Sequence, residues 1–318
     1  MMDVISLGET MVLFNPHSTG KMRYCQDFST KVAGAESNTL IGLSKLGYQT
    51  GWISRVGKDE LGARILSTLR GEGVDVSFVI RDEGAPTGLF LKEKTNERHT
   101  KVFYYRKGSA ASFMSKGDIN EEYLASAKYL YITGITPALS SSCYESIFHS
   151  IKIAKKHGLK VVFDPNLRKT LWGEHEARET LIDVAKEVDI ILPGINEGEF
   201  LFGEQTPEKI CSQFHQLGVE TVVVKLGEKG AYYSNKEETS YIEGYPVHKV
   251  VDPIGAGDGF AAGFLSGLLD HVSLQEAVKR GCAVGSIVVT VEGDIEGLPD
   301  KEELYHFMNA ITSEDVTR

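Results

Sequence analysis

Short runs of aliphatic and β-branched residues, each about one strand long, recur along this chain with helix-patterned segments between them. They are Val4 to Leu7, Gly51 to Val56, Tyr129 to Thr133, Lys160 to Asp164, Ile190 to Leu192 and Thr221 to Lys225. A strand with one wet face alternates apolar with polar residues. These runs are nearly continuous, which places them in a parallel sheet covered on both faces. The order βαβα then predicts an α/β, doubly wound fold, with a mostly parallel sheet and helices on both faces. Ligands of such sheets gather at the carboxyl ends of the strands.

Helix starts agree with this order. Ser142-x-x-Glu145 and Ser273-x-x-Glu276 have capping-box spacing, and Thr206-Pro207 puts proline at a first helical position. Two segments depart from it: residues 12–33, and residues 87–107 with a turn at Asn96-Glu97, read as antiparallel hairpins. They predict a small sheet projecting from the main one, as a lid, an edge or a dimer contact. With 318 residues, 42% of them hydrophobic, the chain can bury one large core, so a single domain over 1–318 is expected.

A formal net charge of −10 and the absence of long Lys/Arg runs argue against nucleic acid as a partner. A small anion remains compatible, because a local cluster of cations can overrule the global sign. Cys25, Cys143, Cys211 and Cys282 form no C-x-x-C pair, which speaks against zinc and a disulfide framework. With no signal-like N-terminus and no apolar segment of membrane-spanning length, a cytoplasmic location and no membrane partner are expected.

The chemistry concentrates in Val251-Asp252-Pro253-Ile254-Gly255-Ala256-Gly257-Asp258-Gly259-Phe260. Glycines 255 and 257 let backbone N–H groups converge where a helix begins, and the helix dipole adds positive potential there. Asp258 falls on the first turn, where its carboxylate would face the bound anion. An ordinary turn and a dipole-offsetting Asp would explain the same letters. A dinucleotide fingerprint would need glycine where Phe260 stands, and no G-x-x-x-x-G-K-[ST] loop occurs. Beyond it, Ala261, Ala262 and Gly263 offer a small-residue surface for close helix packing.

Four further motifs lie near strand ends. Gly34-Ala35-Glu36-Ser37-Asn38 offers N–H groups and an amide for hydroxyl recognition, or simply an N-cap. Asp164-Pro165-Asn166-Leu167-Arg168 supplies a guanidinium able to grip a carboxylate or phosphate. Asn196-Glu197-Gly198-Glu199 fits a capping box and equally an acidic cluster holding hydrated Mg²⁺. Lys225-Leu226-Gly227-Glu228-Lys229-Gly230 ends a strand with two glycines, allowing backbone to lie against a nucleotide or to turn a hairpin.

Together, and in this order across nearly the whole chain, these motifs resemble the ribokinase (PfkB) family of carbohydrate kinases. The resemblance implies a ribokinase-like sheet with a β lid, ATP and Mg²⁺, Asp258 as the base, and Gly255, Ala256 and Gly257 as the anion hole. It also implies ATP contacts from Asn166, Arg168, Asn196, Lys225, Gly227 and Gly230, and metal contacts from Asn196 and Glu199. A monovalent cation such as K⁺ near Asp252, and a homo-oligomer formed through the lid, are further implications.

Within the family, Tyr104-Tyr105-Arg106-Lys107-Gly108-Ser109-Ala110-Ala111-Ser112 with Asp164-Pro-Asn-Leu-Arg168 is most similar to kinases of 2-keto-3-deoxygluconate. Arg106 and Arg168 would receive the substrate carboxylate and Tyr104 would add a hydroxyl. Gly34, Ala35, Glu36, Ser37, Asn38, Phe90 and Asp294 complete the implied sugar contacts. Phe90 stands where those kinases often carry tyrosine, and Gly34-Ala35 where Gly-Gly is more usual. The expected reaction transfers the γ-phosphoryl group of ATP to the terminal 6-hydroxyl. The rivals are a kinase of a neutral ketose or another deoxy-ketogluconate, a non-catalytic sugar or nucleotide sensor, and an NAD-dependent dehydrogenase.

Overall fold

The computed structural model describes residues 1–96, 99–203 and 206–310. Its strands are β1 (Val4–Leu7), β2 (Met11–Pro16), β3 (Phe28–Ala33), β4 (Thr50–Gly57), β5 (Val74–Asp75), β6 (Val79–Asp82) and β7 (Leu89–Asn96). They continue with β8 (His99–Tyr105), β9 (Tyr129–Thr133), β10 (Lys160–Asp164), β11 (Ile190–Ile191), β12 (Thr221–Lys225), β13 (Ala231–Ser234) and β14 (Thr239–Ile242). The large sheet runs β14-β13-β12-β11-β10-β9-β1-β4-β5, with β6 also on β4. It is parallel from β12 to β5, and only β13 and β14 run antiparallel at one edge.

Side chains alternate across this sheet and find apolar cover on both sides. Val4, Tyr131, Val162 and Val223 face one core, with Leu40, Phe264 and Val284 from the helices Ala35–Lys45, Ala256–Leu269 and Leu274–Val288. Ile5, Leu130, Phe163 and Val224 face the other, with Ile147, Leu181 and Phe214 from Ser141–His157, Glu174–Ala185 and Pro207–Gln216. Burial on both faces is why these strands read as continuous apolar runs. Among the described residues no helix is long and apolar enough to cross a membrane.

The first half of the chain builds outward from β1 through β4 to β5, and the second half from β9 to β12 on the other side. The strand order therefore reverses beside β1, and the carboxyl ends of β1, β10 and β12 open on one crevice. Over it stands the second sheet, β3-β2-β7-β8, built from the two segments expected to be hairpins. Glu97, of the turn expected at Asn96-Glu97, lies outside the described residues.

Two of the three expected helix starts are in place. Ser273 accepts from Glu276 N, and Pro207 follows N-cap Thr206. The third begins earlier than expected: Ser140, not Ser142, is the N-cap and accepts from Cys143 N. In a run of three serines the letters do not say which one adopts the extended backbone of a cap.

Candidate active site

The helix Ala256–Leu269 starts where the sequence placed it, with Gly255 as N-cap at φ +82°. A Cβ at that glycine would be 2.8 Å from the Asp294 carbonyl oxygen, so both the turn and the close approach require glycine. Gly257 is different: its added Cβ would meet only Lys225 Nζ, at 3.7 Å, and would project into open cleft. Upstream, Asp252 Oδ1 accepts from Ile254 N at 3.1 Å and shapes the approach to the turn.

Asp258 is 7% exposed. Asn38 Nδ2 donates to its Oδ2 at 2.8 Å, and Thr39 Oγ1 donates to its carbonyl at 3.2 Å. Burial pushes its carboxyl up to about 8, with repulsion from Asp164 and Asp294 adding to the rise and the Asn38 bond and Arg168 opposing it. Spacing along the chain gives no reason to expect a displaced value, because the burial that dominates it, and the Asp164 and Asp294 carboxylates that add to it, arise only when distant segments pack together.

A cleft of about 880 Å³ opens in front of this turn. Gly34, Ala35, Asn38, Phe90, Tyr104, Arg106, Arg168 and Asp294 line it, together with Asn166, Asn196, Lys225, Gly227, Gly255, Gly257 and Asp258. Six of the residues singled out from sequence are not on its wall. Glu36 lies beneath Gly8, buried, with Oε1 accepting from Thr133 and Thr136 and its carboxyl raised by burial. Ser37 is buried and donates to Gly34 O, which tightens the helix start. Ala256 begins the helix behind Gly255, Gly230 turns the chain into β13 at φ +94°, and Asp252 and Glu199 lie outside the lining.

Glu199 is exposed, and among the described residues its side chain has no hydrogen bond or ion pair. The N-terminal box of this helix, Ile195–Phe202, uses Glu197 instead, whose Oε2 accepts from Gly194 N at 2.7 Å. Its Oε1 accepts from Leu167 N at 2.7 Å, joining the helix start to the loop after β10. Burial, then repulsion from Asp164, raises the Glu197 carboxyl. Among the described residues no group of three or more His, Cys, Asp or Glu is arranged to hold a metal.

Cations face the cleft in two arrangements. Lys225 Nζ donates to Asp164 Oδ2 at 2.6 Å. Burial opposes its charge, but Asp164 and Glu197 outweigh that and hold it above the ordinary lysine value. Arg106 is nearly buried; its Nε donates to Glu9 Oε2 at 2.7 Å and its Nη2 lies 2.6 Å from the same oxygen. Arg168 is exposed at the cleft wall, and among the described residues its side chain makes no hydrogen bond or ion pair. Tyr104 and Phe90 pack at 5.4 Å, and the Arg106 guanidinium sits 5.7 Å from the Tyr104 ring.

Glu9 and Lys92 also line the cleft, and sequence reasoning passed over both. Glu9 follows β1, where a charged residue at a central strand's carboxyl end is a signal in itself. Lys92 shares a face of β7 with Phe90 by the two-residue period and lies 3.8 Å from Asp252. Two neighbouring lysines reach the segment after the Leu274–Val288 helix: Lys94 pairs with Glu292 at 2.7 Å, and Lys31 with Glu296 at 3.1 Å.

A buried carboxylate on the first turn of a helix, N–H groups converging beside it, and a cleft roofed by a small sheet form the geometry of phosphoryl transfer to a hydroxyl. Comparison with known proteins agrees. The family model described as pfkB family carbohydrate kinase matches residues 1–301. The 2-dehydro-3-deoxygluconokinase of Bacillus subtilis (strain 168) is 43% identical over 311 residues, covering 97% of this chain and 96% of its own. A PfkB protein from Polaromonas sp. JS666 superposes with a TM-score of 0.89 at 41% identity, over 96% of this chain and 99% of its own. A putative ribokinase II from E. coli, in complex with ATP and Mg²⁺, superposes at 0.89 and 27% identity, over 98% and 100%. The chain belongs to the pfkB family of carbohydrate kinases.

Proposed function

We propose that this enzyme transfers the γ-phosphoryl group of ATP to the 6-hydroxyl of 2-keto-3-deoxy-D-gluconate. The observation that carries the reading is the meeting, in one cleft, of the buried Asp258 and its glycine turn with Arg106 and Arg168. The first pair suits any sugar hydroxyl; the two guanidiniums suit a sugar that carries a carboxylate. The similarity to the B. subtilis enzyme over nearly the full chain supports the same acceptor.

Asp258 takes the proton of the attacking hydroxyl. Asn38 holds the carboxylate in register with the acceptor, and N–H groups at Gly255 to Gly257 receive the charge that gathers on the transferred group. Lys225, fixed by Asp164, and Asn196 serve the phosphates, and Gly227 lets backbone lie against the nucleotide. Mg²⁺ would neutralise phosphate charge, and exposed Glu199 is free to hold it through water. The small sheet acts as the lid that excludes water. Its exposed Phe103 and Tyr105 would be covered in a homodimer. Lys92 lies against Asp252, so a requirement for K⁺ there is a separate question, answered by assay in K⁺ against Tris buffer.

ADP release measured with 2-keto-3-deoxygluconate, fructose and ribose tests the reading. It predicts kcat/KM for the acid sugar above both neutral sugars by a factor of about 30 or more, the range for one charged hydrogen-bonding partner. Equal efficiencies would leave a sugar kinase without the carboxylate preference. Arg168→Ala should lose most of the difference at unchanged Tm, since that side chain has no partner to abandon.

A further inference from the structure

Glu9 has no place in the reaction as described, yet it is a carboxylic side chain only 2% exposed in the cleft wall itself. One of its oxygens, Oε2, takes both Nε and Nη2 of Arg106, at 2.7 and 2.6 Å. The other, Oε1, accepts from Ser109 Oγ at 2.5 Å. The pocket around it is shaped to that carboxylate, because a Cβ at Gly88 would come within 2.6 Å of Oε1. Arg106 is thereby held by one edge of its planar fork, and its Nη1 has no partner among the described residues. An arginine pinned in this way loses the rotamer freedom that a solvated one must give up on binding.

We propose that Glu9 is a positioning residue for acceptor selectivity: held by Ser109, it fixes the Arg106 guanidinium so that its remaining edge meets the substrate carboxylate. This rests on the acid-sugar reading of the same site. Because Glu9 already balances the Arg106 charge, selectivity at Arg106 comes from hydrogen-bond geometry, and the uncompensated charge in the cleft is that of Arg168.

The test is steady-state kinetics of Glu9→Gln, which keeps the shape and an acceptor oxygen but removes the anion. KM for 2-keto-3-deoxygluconate should rise by at least about fivefold, with kcat and the KM for ATP nearly unchanged, since a mispositioned fork weakens only its own contact. In Arg106→Ala the Glu9 carboxylate is left buried and unpaired, so Tm falls. Adding Glu9→Gln should recover part of that loss and should cause no further rise in KM, because Glu9 acts through Arg106. A KM that is unchanged or lower in Glu9→Gln, or a further rise in the double variant, overturns the assignment. If Glu9→Gln does not fold, Ser109→Ala removes only the Oε1 bond and should raise the same KM by about twofold; an unchanged KM there is equally decisive against it. A wild type that does not favour the acid sugar overturns both readings, whereas a selective wild type with an equally selective Glu9→Gln overturns this one alone.

Discussion

Asn38 donates to Asp258 across 220 positions of sequence, and this bond joins the two helix starts that frame the acceptor site. It also favours the ionised form of a carboxyl that burial otherwise keeps protonated, with a value of about 8 in the free enzyme. A base must be ionised to accept a proton. The kcat/KM profile should therefore climb about tenfold per pH unit below about 8 and level above it. Asn38→Ala removes an interaction that lowers the value, so its inflection should move to higher pH; a flat wild-type profile between about pH 6 and 9 would count against Asp258 as the base.

Asp258→Asn should lower kcat by about a hundredfold or more with ATP binding retained. Its stability should change in the opposite sense. The folded value of about 8 lies far above that of an exposed aspartate. Between the two, the native state holds a proton that the unfolded chain has released, so wild-type stability falls as pH rises and the loss is complete above about 8. Calorimetry should find the Tm of Asp258→Asn gaining on wild type from about pH 5 to about pH 9; a constant difference would mean the carboxyl is not strained by burial.

The two anion-hole glycines should fail for different reasons. Gly255→Ala forces a side chain into φ +82° and against the Asp294 carbonyl. The backbone strain alone costs about 1–2 kcal/mol, visible as a lower Tm. Gly257→Ala meets only Lys225 Nζ at 3.7 Å, so Tm should hold while kcat falls as the methyl narrows the cleft. Equal Tm for both variants would contradict this division.

Glu197 and Glu199 likewise separate structure from metal handling. Glu197→Gln weakens two backbone contacts, at Gly194 and Leu167, and should lower Tm. Glu199→Gln, at an exposed residue outside the cap, should leave Tm alone and raise the Mg²⁺ concentration needed for half-maximal rate severalfold. An unchanged Mg²⁺ titration would release Glu199 from that role.

Strands β9, β10 and β12 match the sequence reading to the residue, because burial on both faces writes itself as an unbroken apolar run. Edge strands β13 and β14 did not stand out. They are four residues each, and only one side chain of β14 is buried. The glycine motifs were legible because a phosphate cradle is local in the chain. The partnerships around them were not: Glu9 meets Arg106 over 97 positions, and Lys92 meets Asp252 over a longer stretch still. The Ile195–Phe202 helix starts two residues before the position the spacing predicts, which moves the capping role from Glu199 to Glu197. Two acidic residues two positions apart cannot be told apart by spacing alone.

The helix that carries Asp258 has glycine at 259, 263 and 267, each pressed on the helix Leu274–Val288, and on its other side Ala262 meets Gly42. A single added methyl at any of these glycines would collide with neighbouring backbone or side chain. The base is consequently located by main-chain contact rather than by rotamer choice, and this half of the site has almost no room for sequence drift. The opposite wall is made of large side chains on β7 and β8, Phe90, Lys92, Tyr104 and the adjoining Arg106, which can be exchanged without moving a helix. A change of acceptor can therefore be made in the roof of the cleft without disturbing the phosphoryl-transfer floor.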